Sequence, residues 1–306
     1  MIPRMARSTL LGCALLVAIA PINLIHAQAW TPLRGEGQVT VTYENIYVRD
    51  HFDYTGKRFE AGPIRTNTVV STFEYGITDK LTLDSQLTHV TSKYEGFVPP
   101  VPHGPPDTGV YHPTFQDAVV GVRYKVMSRH LFVTPFVAAN IPTHHYETRG
   151  HTAVGRDLRE LQVGAYVGRD LGDIIPRTYV QARYSYAFVQ NVEQFGLNRS
   201  NVDWEVGYYA KPRVSLRFTG AWQYTHSGLR FPLDHDIPDC HELHDRAAKS
   251  GFVRFGGGVT VTLAKNFDLH ADVGNTFRGH TTHGARGLSL GISWRFSRGG
   301  FRVGKY

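Results

Sequence analysis

The sequence predicts an all-β fold: a transmembrane up-and-down antiparallel β-barrel of about twelve strands, with short periplasmic turns and long extracellular loops. Three observations predict it: an export signal, segments in which apolar and polar residues alternate, and connections that are alternately short and long. Side chains alternate across a strand, so each such segment has one apolar and one polar face. In an exported bacterial-type chain, this pattern is typical of strands with lipid outside and a lumen inside.

The first 29 residues are predicted to be a secretory signal peptide. Arg4 and Arg7 give a positive start, residues 10–25 form an apolar run, and residues 27–29 (Ala-Gln-Ala) form a small-x-small cleavage site, with residues 25–27 as an alternative. The predicted division of the chain is therefore signal peptide 1–29, barrel 30–296 and periplasmic tail 297–306.

The composition argues against several other classes of protein. The formal net charge of +7 falls to +5 without Arg4 and Arg7, and the charges are mixed, so no nucleic-acid partner is expected. Of the two cysteines only Cys240 follows the signal peptide, which excludes a disulfide framework within the chain. After the signal peptide the sequence has no run of 18 apolar residues, so no membrane-spanning helix is predicted. No nucleotide-binding motif is present, and no cofactor is expected.

The closing segment, residues 287–296, has the sequence GLSLGISWRF, in which every second residue is apolar and the others are small or polar. Eleven earlier segments follow the same rule. The predicted strands cover residues 38–48, 64–75, 81–91, 115–127, 131–141, 158–168, 178–190, 201–210, 214–225, 252–263, 267–277 and 287–296. Short turns follow the even-numbered strands and long loops the odd-numbered ones, as a barrel with both termini in the periplasm requires.

Prolines refine this division. Five prolines lie between residues 99 and 106, and because proline cannot join a central ladder they predict a long loop after the third strand. Pro135 lies inside the fifth predicted strand, where it indicates a bulge or a local break in pairing. A soluble β-sandwich is the alternative fold, and it would show irregular loop lengths and fewer strands.

Charged residues on the polar face of these strands are predicted to line the lumen. They are Glu44, Glu74, Asp84, Asp117, Arg123, Arg183, Asp203, Glu205, Arg217, Arg254, Asp268, Asp272 and Arg295. Mixed charges in a narrow barrel can create a transverse field that selects solutes, or they can pair with each other and fill the lumen. The sequence leaves both alternatives open, because each offsets the free-energy cost of desolvating the charges.

Residues 75–83 read YGITDKLTL, a strand–turn–strand phrase with a short turn. This phrase resembles one that recurs in the outer-membrane transporter family associated with the meta pathway of phenol degradation, and residues 287–296 are similar to the end of that family. The polar tail after Phe296 departs from the family's usual aromatic terminus. The resemblance implies a barrel that passes small, hydrophobic or aromatic compounds across the outer membrane without energy input.

Two other functions remain as alternatives. The chain has 16 histidines, and the loop at 228–249 concentrates them with acids, so His235, Cys240, His241 and His244 are candidate zinc or copper ligands. An outer-membrane lipid hydrolase would need a Ser–His pair near the rim, for which His226 with Ser227, or His89 with Ser92, are candidates. No nucleophile motif surrounds either pair, so the chain is expected not to be an enzyme but a passive or purely structural barrel. The expected partners are membrane lipid, the solute and the barrel assembly machinery, and the expected state is a monomer.

Overall fold

The computed structural model describes residues 29–96, 105–230 and 240–297, apart from the side chains of residues 240–242 and 244. The strands are β1 Glu36–Phe52, β2 Arg58–Gly76, β3 Leu81–Tyr94, β4 His112–Tyr124, β5 Met127–Ser128, β6 Phe132–Pro142, β7 Glu160–Asp170, β8 Thr178–Val189, β9 Arg199–Lys211, β10 Val214–Thr225, β11 Gly251–Ala264, β12 Phe267–His280 and β13 Thr282–Ser297. One helix, α1 Cys240–Ala247, precedes β11.

Every strand pairs antiparallel with its neighbour, and the sheet closes on itself. β1 pairs with β13 along its whole length, from Glu36 opposite Ser297 to Phe52 opposite Thr282. β4 pairs with β6 from Asp117 opposite Pro142 to Arg123 opposite Phe136. Twelve strands of the described chain therefore form a closed up-and-down barrel, and the two-residue β5 pairs only with β6. The predicted fold class is confirmed.

Two predicted long loops are wrong, because the strands continue through them. β1 and β2 are joined by residues 53–57 alone, and β12 and β13 by Thr281 alone. The extensions of β1 and β2 pair with each other, that of β12 pairs with β11, and that of β13 pairs with β1. Their backbone groups are therefore satisfied by a ladder rather than by water. The turn after β1 is held by the Asp53 carboxylate, which accepts hydrogen bonds from the backbone of Thr55 and Lys57. A Gly at position 56 allows the positive φ of 87° there.

Other observed boundaries also differ from the predicted ones. The predicted fourth strand extends to residue 127, whereas β4 ends at Tyr124. Helix α1 lies in a segment predicted as loop, although Asp239 followed three residues later by Glu242 is a capping pattern that could have indicated it. At Pro135 the ladder to β7 is continuous, but the pairing of β4 with β6 begins only at Phe136. The break expected at this proline is therefore present on one side of the strand.

The two faces of the barrel have opposite character. Apolar residues such as Val41, Tyr43, Ile292 and Leu290 are exposed on the outside. Their neighbours along the strands, such as Thr40 and Ser293, are buried on the inside, where their hydroxyl groups hydrogen-bond at 2.8 Å. A water-exposed apolar belt of this extent is unfavourable in a soluble protein, whereas hydrocarbon solvates it. The chain folds as a bacterial outer-membrane barrel.

Aromatic rings mark the periplasmic edge of this belt. Phe296 at the end of β13 lies 5.2 Å from Trp294, 6.2 Å from Phe73 and 6.4 Å from Tyr75, measured between ring centroids. Gly37 allows the close approach, because a Cβ there would contact the Phe296 ring. Such a cluster is typical of the boundary between hydrocarbon and water. Within the described residues, no helix is both long and apolar enough to cross a membrane.

The inside changes from polar to apolar near the extracellular end. Ile46, Val48 and Ile64 point inward there and pack with Tyr94 and Ala285. A second apolar cluster lies below the extracellular loops and joins strand ends to α1; it contains Leu158, Ala187, Val189, Val192, Leu197, Leu229 and Ala247. Packed side chains and the described loops therefore narrow the barrel at this end.

The apolar belt predicts a position-dependent cost for charge. Leu290→Arg places a guanidinium on the lipid side of β13, at a residue about half exposed, and should lower the free energy of unfolding by about 2–4 kcal/mol. Urea unfolding in phospholipid vesicles, followed by tryptophan fluorescence, measures this change. Ile174→Arg, in the turn after β7, is the matched control and should cost less than about 0.5 kcal/mol. Equal destabilisation by both substitutions would contradict a lipid-facing position for Leu290.

Candidate functional site

The barrel contains a cavity of about 420 Å³, and its lining extends from Gln38 near the start of β1 to Thr282 at the start of β13. Its wall is mostly polar, with Thr40, Thr42 and Gln86 among the uncharged residues, and Phe136 and Tyr166 add two aromatic rings. The centroids of these rings lie 5.0 Å apart. A volume of this order is typical of pockets that hold small organic molecules.

The structure brings together most of the charged residues that the strand pattern predicts in the lumen. Those that line the cavity are Glu44, Glu74, Asp84, Asp117, Arg123, Arg183, Asp203, Arg254 and Asp272. The other four, Glu205, Arg217, Asp268 and Arg295, do not line it. The guanidinium of Arg217 contacts Asp272 at 2.5 Å, and that of Arg295 contacts Asp268 at 3.1 Å.

A buried arginine links three strands in the cavity wall. Arg123 on β4 donates two hydrogen bonds to the Asp84 carboxylate, at 2.7 and 2.9 Å, and a further one to Glu74. This forked geometry is strong and directional, and it fixes the guanidinium in one orientation. The carboxylates of Glu74 and Asp84 outnumber this single guanidinium, so the wall formed by β2, β3 and β4 keeps a negative charge.

A β-bulge in β4 brings one more polar side chain, that of Gln116, into the lumen. Leu87 pairs with Ala118 but His89 pairs with Phe115, so two residues of β4, Gln116 and Asp117, lie opposite a single residue of β3. Both of them line the cavity, which strict alternation would not allow. Bulges have no reliable sequence signature, and the inward position of Gln116 was therefore not predicted.

Two arginines of the cavity were missed at the sequence level. Arg199 begins β9, two residues before the predicted strand, and contacts Glu160 at 2.6 Å. Alternation from Asn201 and Asp203 backward would have found it. Arg156 belongs to the loop at 143–159, which folds back over the lumen, and it donates to the Ser250 hydroxyl at 2.7 Å. No local pattern marks a loop residue of this kind.

The extracellular loops are tied together above the cavity, and we name them the cap (residues 105–111, 143–159 and 240–250). Asp107 accepts hydrogen bonds from the backbone N–H groups of His151 at 2.6 Å and Thr152 at 3.0 Å, and from the His151 ring at 2.9 Å. The second acid, Asp245, accepts from the Gly150 N–H at 3.1 Å. Gly155, Arg156 and Leu158 of the cap line the cavity, so the cap forms its roof.

Burial disfavours the Asp107 carboxylate, but hydrogen bonds from His151 and Thr152 outweigh that cost and lower its pKa. An acid whose pKa is lowered by folding stabilises the fold above its unfolded-state pKa, and this contribution is lost as pH falls through the folded-state value. The Asp107 contacts should therefore persist at neutral and mildly acidic pH.

The segment before β1 enters the periplasmic end of the barrel. Ala29 is buried; its N–H donates to Gln181 at 3.1 Å and its carbonyl accepts from Thr134 at 3.0 Å. The Trp30 ring packs edge-on against Tyr179, with centroids 5.4 Å apart. This segment narrows the periplasmic mouth. The predicted signal peptide otherwise lies outside the described residues, as does the tail from residue 298.

The candidate Ser–His pairs do not form as predicted. His89 lies on the outer face against the ring of Phe115, whereas Ser92 is buried inside and bonds Thr66. The ring of His226 bonds the Ser200 hydroxyl at 3.0 Å rather than Ser227. The metal candidates His235, Cys240, His241 and His244 lie outside the described side chains, so that hypothesis stays a prediction. Within the described part of the chain, no group of three or more His, Cys, Asp or Glu residues could hold a metal ion.

Solved structures share this architecture. The COG4313 outer membrane channel from Pseudomonas putida F1 is similar with a TM-score of 0.65 and 14% identity, over 87% of this chain and 97% of that one. The translocator domain of the autotransporter NalP from Neisseria meningitidis has a TM-score of 0.49 and 12% identity, over 87% and 90% of the two chains. The CymD monoaromatic hydrocarbon channel has a TM-score of 0.47 and 8% identity, over 87% and 90%. Only the first supports the fold. No protein-family model matches the sequence, and no curated protein does.

The contacts of Asp107 predict how firmly the cap is held. Asp107→Ala removes the acceptor for two buried N–H groups. Each unsatisfied N–H group should lower the stability of the closed cap by about 1–3 kcal/mol. Hydrogen exchange of residues 150–154 should become faster, and openings in planar-bilayer recordings more frequent.

Glu147→Ala is the control for this prediction, because the Glu147 carboxylate accepts hydrogen bonds only within its own loop, from Thr148 and Arg149, among the contacts described. It should change neither measurement. Unchanged exchange of residues 150–154 in Asp107→Ala would show that other contacts hold the cap.

Proposed function

We propose that this chain is an outer-membrane channel through which small compounds cross passively, and that these compounds carry a hydrophobic or aromatic part. The observation that carries the proposal is the cavity inside the barrel, because a purely structural barrel has no need of a space that its own side chains could fill. The fold, which this chain shares with a solved outer membrane channel at 14% identity, is compatible with this function.

The lining supports a solute with a ring as well as polar groups. Phe136 and Tyr166 offer aromatic surfaces, and the guanidinium of Arg183 lies 4.9 Å from the centre of the Phe136 ring and 5.7 Å from that of Tyr166. A planar solute could exchange places with this stacked guanidinium at little cost, because both are flat and polarisable. The resemblance of residues 75–83 to the family of the phenol meta pathway supports the same class of solute.

The path is restricted at both ends, so passage must involve rearrangement. The cap covers the extracellular side, and Trp30 narrows the periplasmic side. Neither restriction involves a covalent bond, and both depend on a few hydrogen bonds and ring contacts. Segments held by so few contacts open locally at a much lower free energy than the strands of the barrel. The proposal includes a monomer that depends on membrane lipid and on the assembly machinery for insertion.

Planar-bilayer conductance and solute uptake into vesicles test the proposal. Refolded protein should give small, discrete currents and let small aromatic solutes enter vesicles that exclude larger sugars. Silence in both measurements, with every solute, would contradict channel function and favour a closed barrel.

Trp30→Ala should increase conductance, because it removes the ring that packs against Tyr179 and Phe132 at the periplasmic mouth. A tryptophan side chain buries about 150–250 Å² of surface. Its removal should widen the mouth, and conductance should rise about twofold or more. Trp294→Ala is the matched control; this tryptophan lies on the lipid side and is about half exposed. Equal currents in the two variants would exclude Trp30 as part of the restriction.

A further inference from the structure

The strand order places two charged walls opposite each other across the cavity. In a closed barrel of twelve strands, each strand faces the one six positions away. With the order observed here, β1 to β4 face β8 to β11. Residues on these two groups of strands therefore approach the same solute from opposite sides.

The two walls carry opposite charge. Among the described residues that line the cavity, the β1–β4 wall has four carboxylates and one guanidinium: Glu44, Glu74, Asp84, Asp117 and Arg123. The β8–β11 wall has three guanidiniums and one carboxylate: Arg183, Arg199, Arg254 and Asp203. Arg156 of the cap adds a further guanidinium, and Arg199, Glu160 and Asp245 lie within electrostatic range of it. Glu160 and Asp272, from the strands between the walls, pair with Arg199 and Arg217.

Polar atoms on both walls have capacity for a ligand. Glu44 is 4% exposed, and its Oε2 atom makes no hydrogen bond to any residue that the structure describes. The same is true of Arg156 Nη1, Arg183 Nε and Arg199 Nε. One wall thus offers a buried carboxyl oxygen without a hydrogen bond, and the other wall, together with the cap, offers buried guanidinium donors. A buried polar atom without a partner is costly, so a solute that supplies the missing groups is favoured.

From this arrangement we infer that the cavity selects small dipolar solutes, with an ammonium group directed to Glu44 and a carboxylate directed to Arg156 and its arginine neighbours. A neutral solute leaves both walls unsatisfied, while an anion or a cation satisfies one wall and is repelled by the other. A zwitterion aligns its dipole with the field between the walls. This inference rests on the proposed channel function and names the class of solute for the same cavity.

Vesicle uptake at pH 7 tests it with four probes of one size and different charge. The zwitterion is 4-(aminomethyl)benzoate, the anion 4-carbamoylbenzoate, the cation 4-(aminomethyl)benzamide and the neutral compound 4-(hydroxymethyl)benzamide, each corrected for entry into protein-free vesicles. The zwitterion should enter at least about fivefold faster than the other three, which corresponds to about 1 kcal/mol. Equal or faster entry of another probe would overturn the inference while leaving channel function intact. Entry of none of them would contradict the channel function itself.

Paired variants assign the preference to the two walls. The double variant Glu44→Gln with Arg156→Gln should lose most of the preference for the zwitterion, while the neutral probe enters as before or faster. Arg49→Gln with Glu60→Gln is the matched control, because it removes an exposed ion pair outside the cavity, and it should keep the preference. Heat-dependent migration on gels verifies that each barrel has folded. If the double variant fails to fold, the probe series in the unaltered protein still decides. A preference that survives in the folded double variant would overturn the assignment.

Discussion

The whole structure depends on the closure of the sheet. In hydrocarbon no water is present to satisfy a free backbone N–H or C=O group, so an open sheet edge cannot be exposed to lipid. Pairing of β1 with β13 and of β4 with β6 removes the edges. Closure in turn creates an inside, and the alternation of side chains then makes that inside polar and the outside apolar. The cavity, the charged walls and the lipid belt all follow from this one requirement.

The inside of a narrow barrel resolves its charges in two ways. Some arginines and acids pair closely, as Arg217 does with Asp272. Elsewhere in the cavity wall, side-chain atoms such as Glu44 Oε2 and Arg183 Nε make no hydrogen bond within the described residues. A buried polar atom without a hydrogen bond costs free energy, and a ligand that supplied the missing partner would offset that cost.

Segments outside the membrane-spanning ladder cover the two ends of the barrel. The cap is held by carboxylates that accept backbone N–H groups from another loop, with Asp107 as the main example. The periplasmic mouth is narrowed by a segment before β1 that packs on β6 and β8. Strands thus position the charged walls, and loop contacts cover the ends. A rigid scaffold that carries loops at its ends is a common arrangement in proteins.

The sequence by itself determined the number of strands, their order and the face on which each charged residue lies, because alternation with period two is a local property. It also located nine residues of the cavity wall, including Glu44, Arg123 and Arg254. It did not predict the extended hairpin after β1, the bulge that turns Gln116 inward, or the return of Arg156 over the lumen. Only the tertiary structure decided these, since each depends on pairing or packing with residues far along the chain. The opposition of the two walls was decided in the same way: it exists only because twelve strands close into a ring.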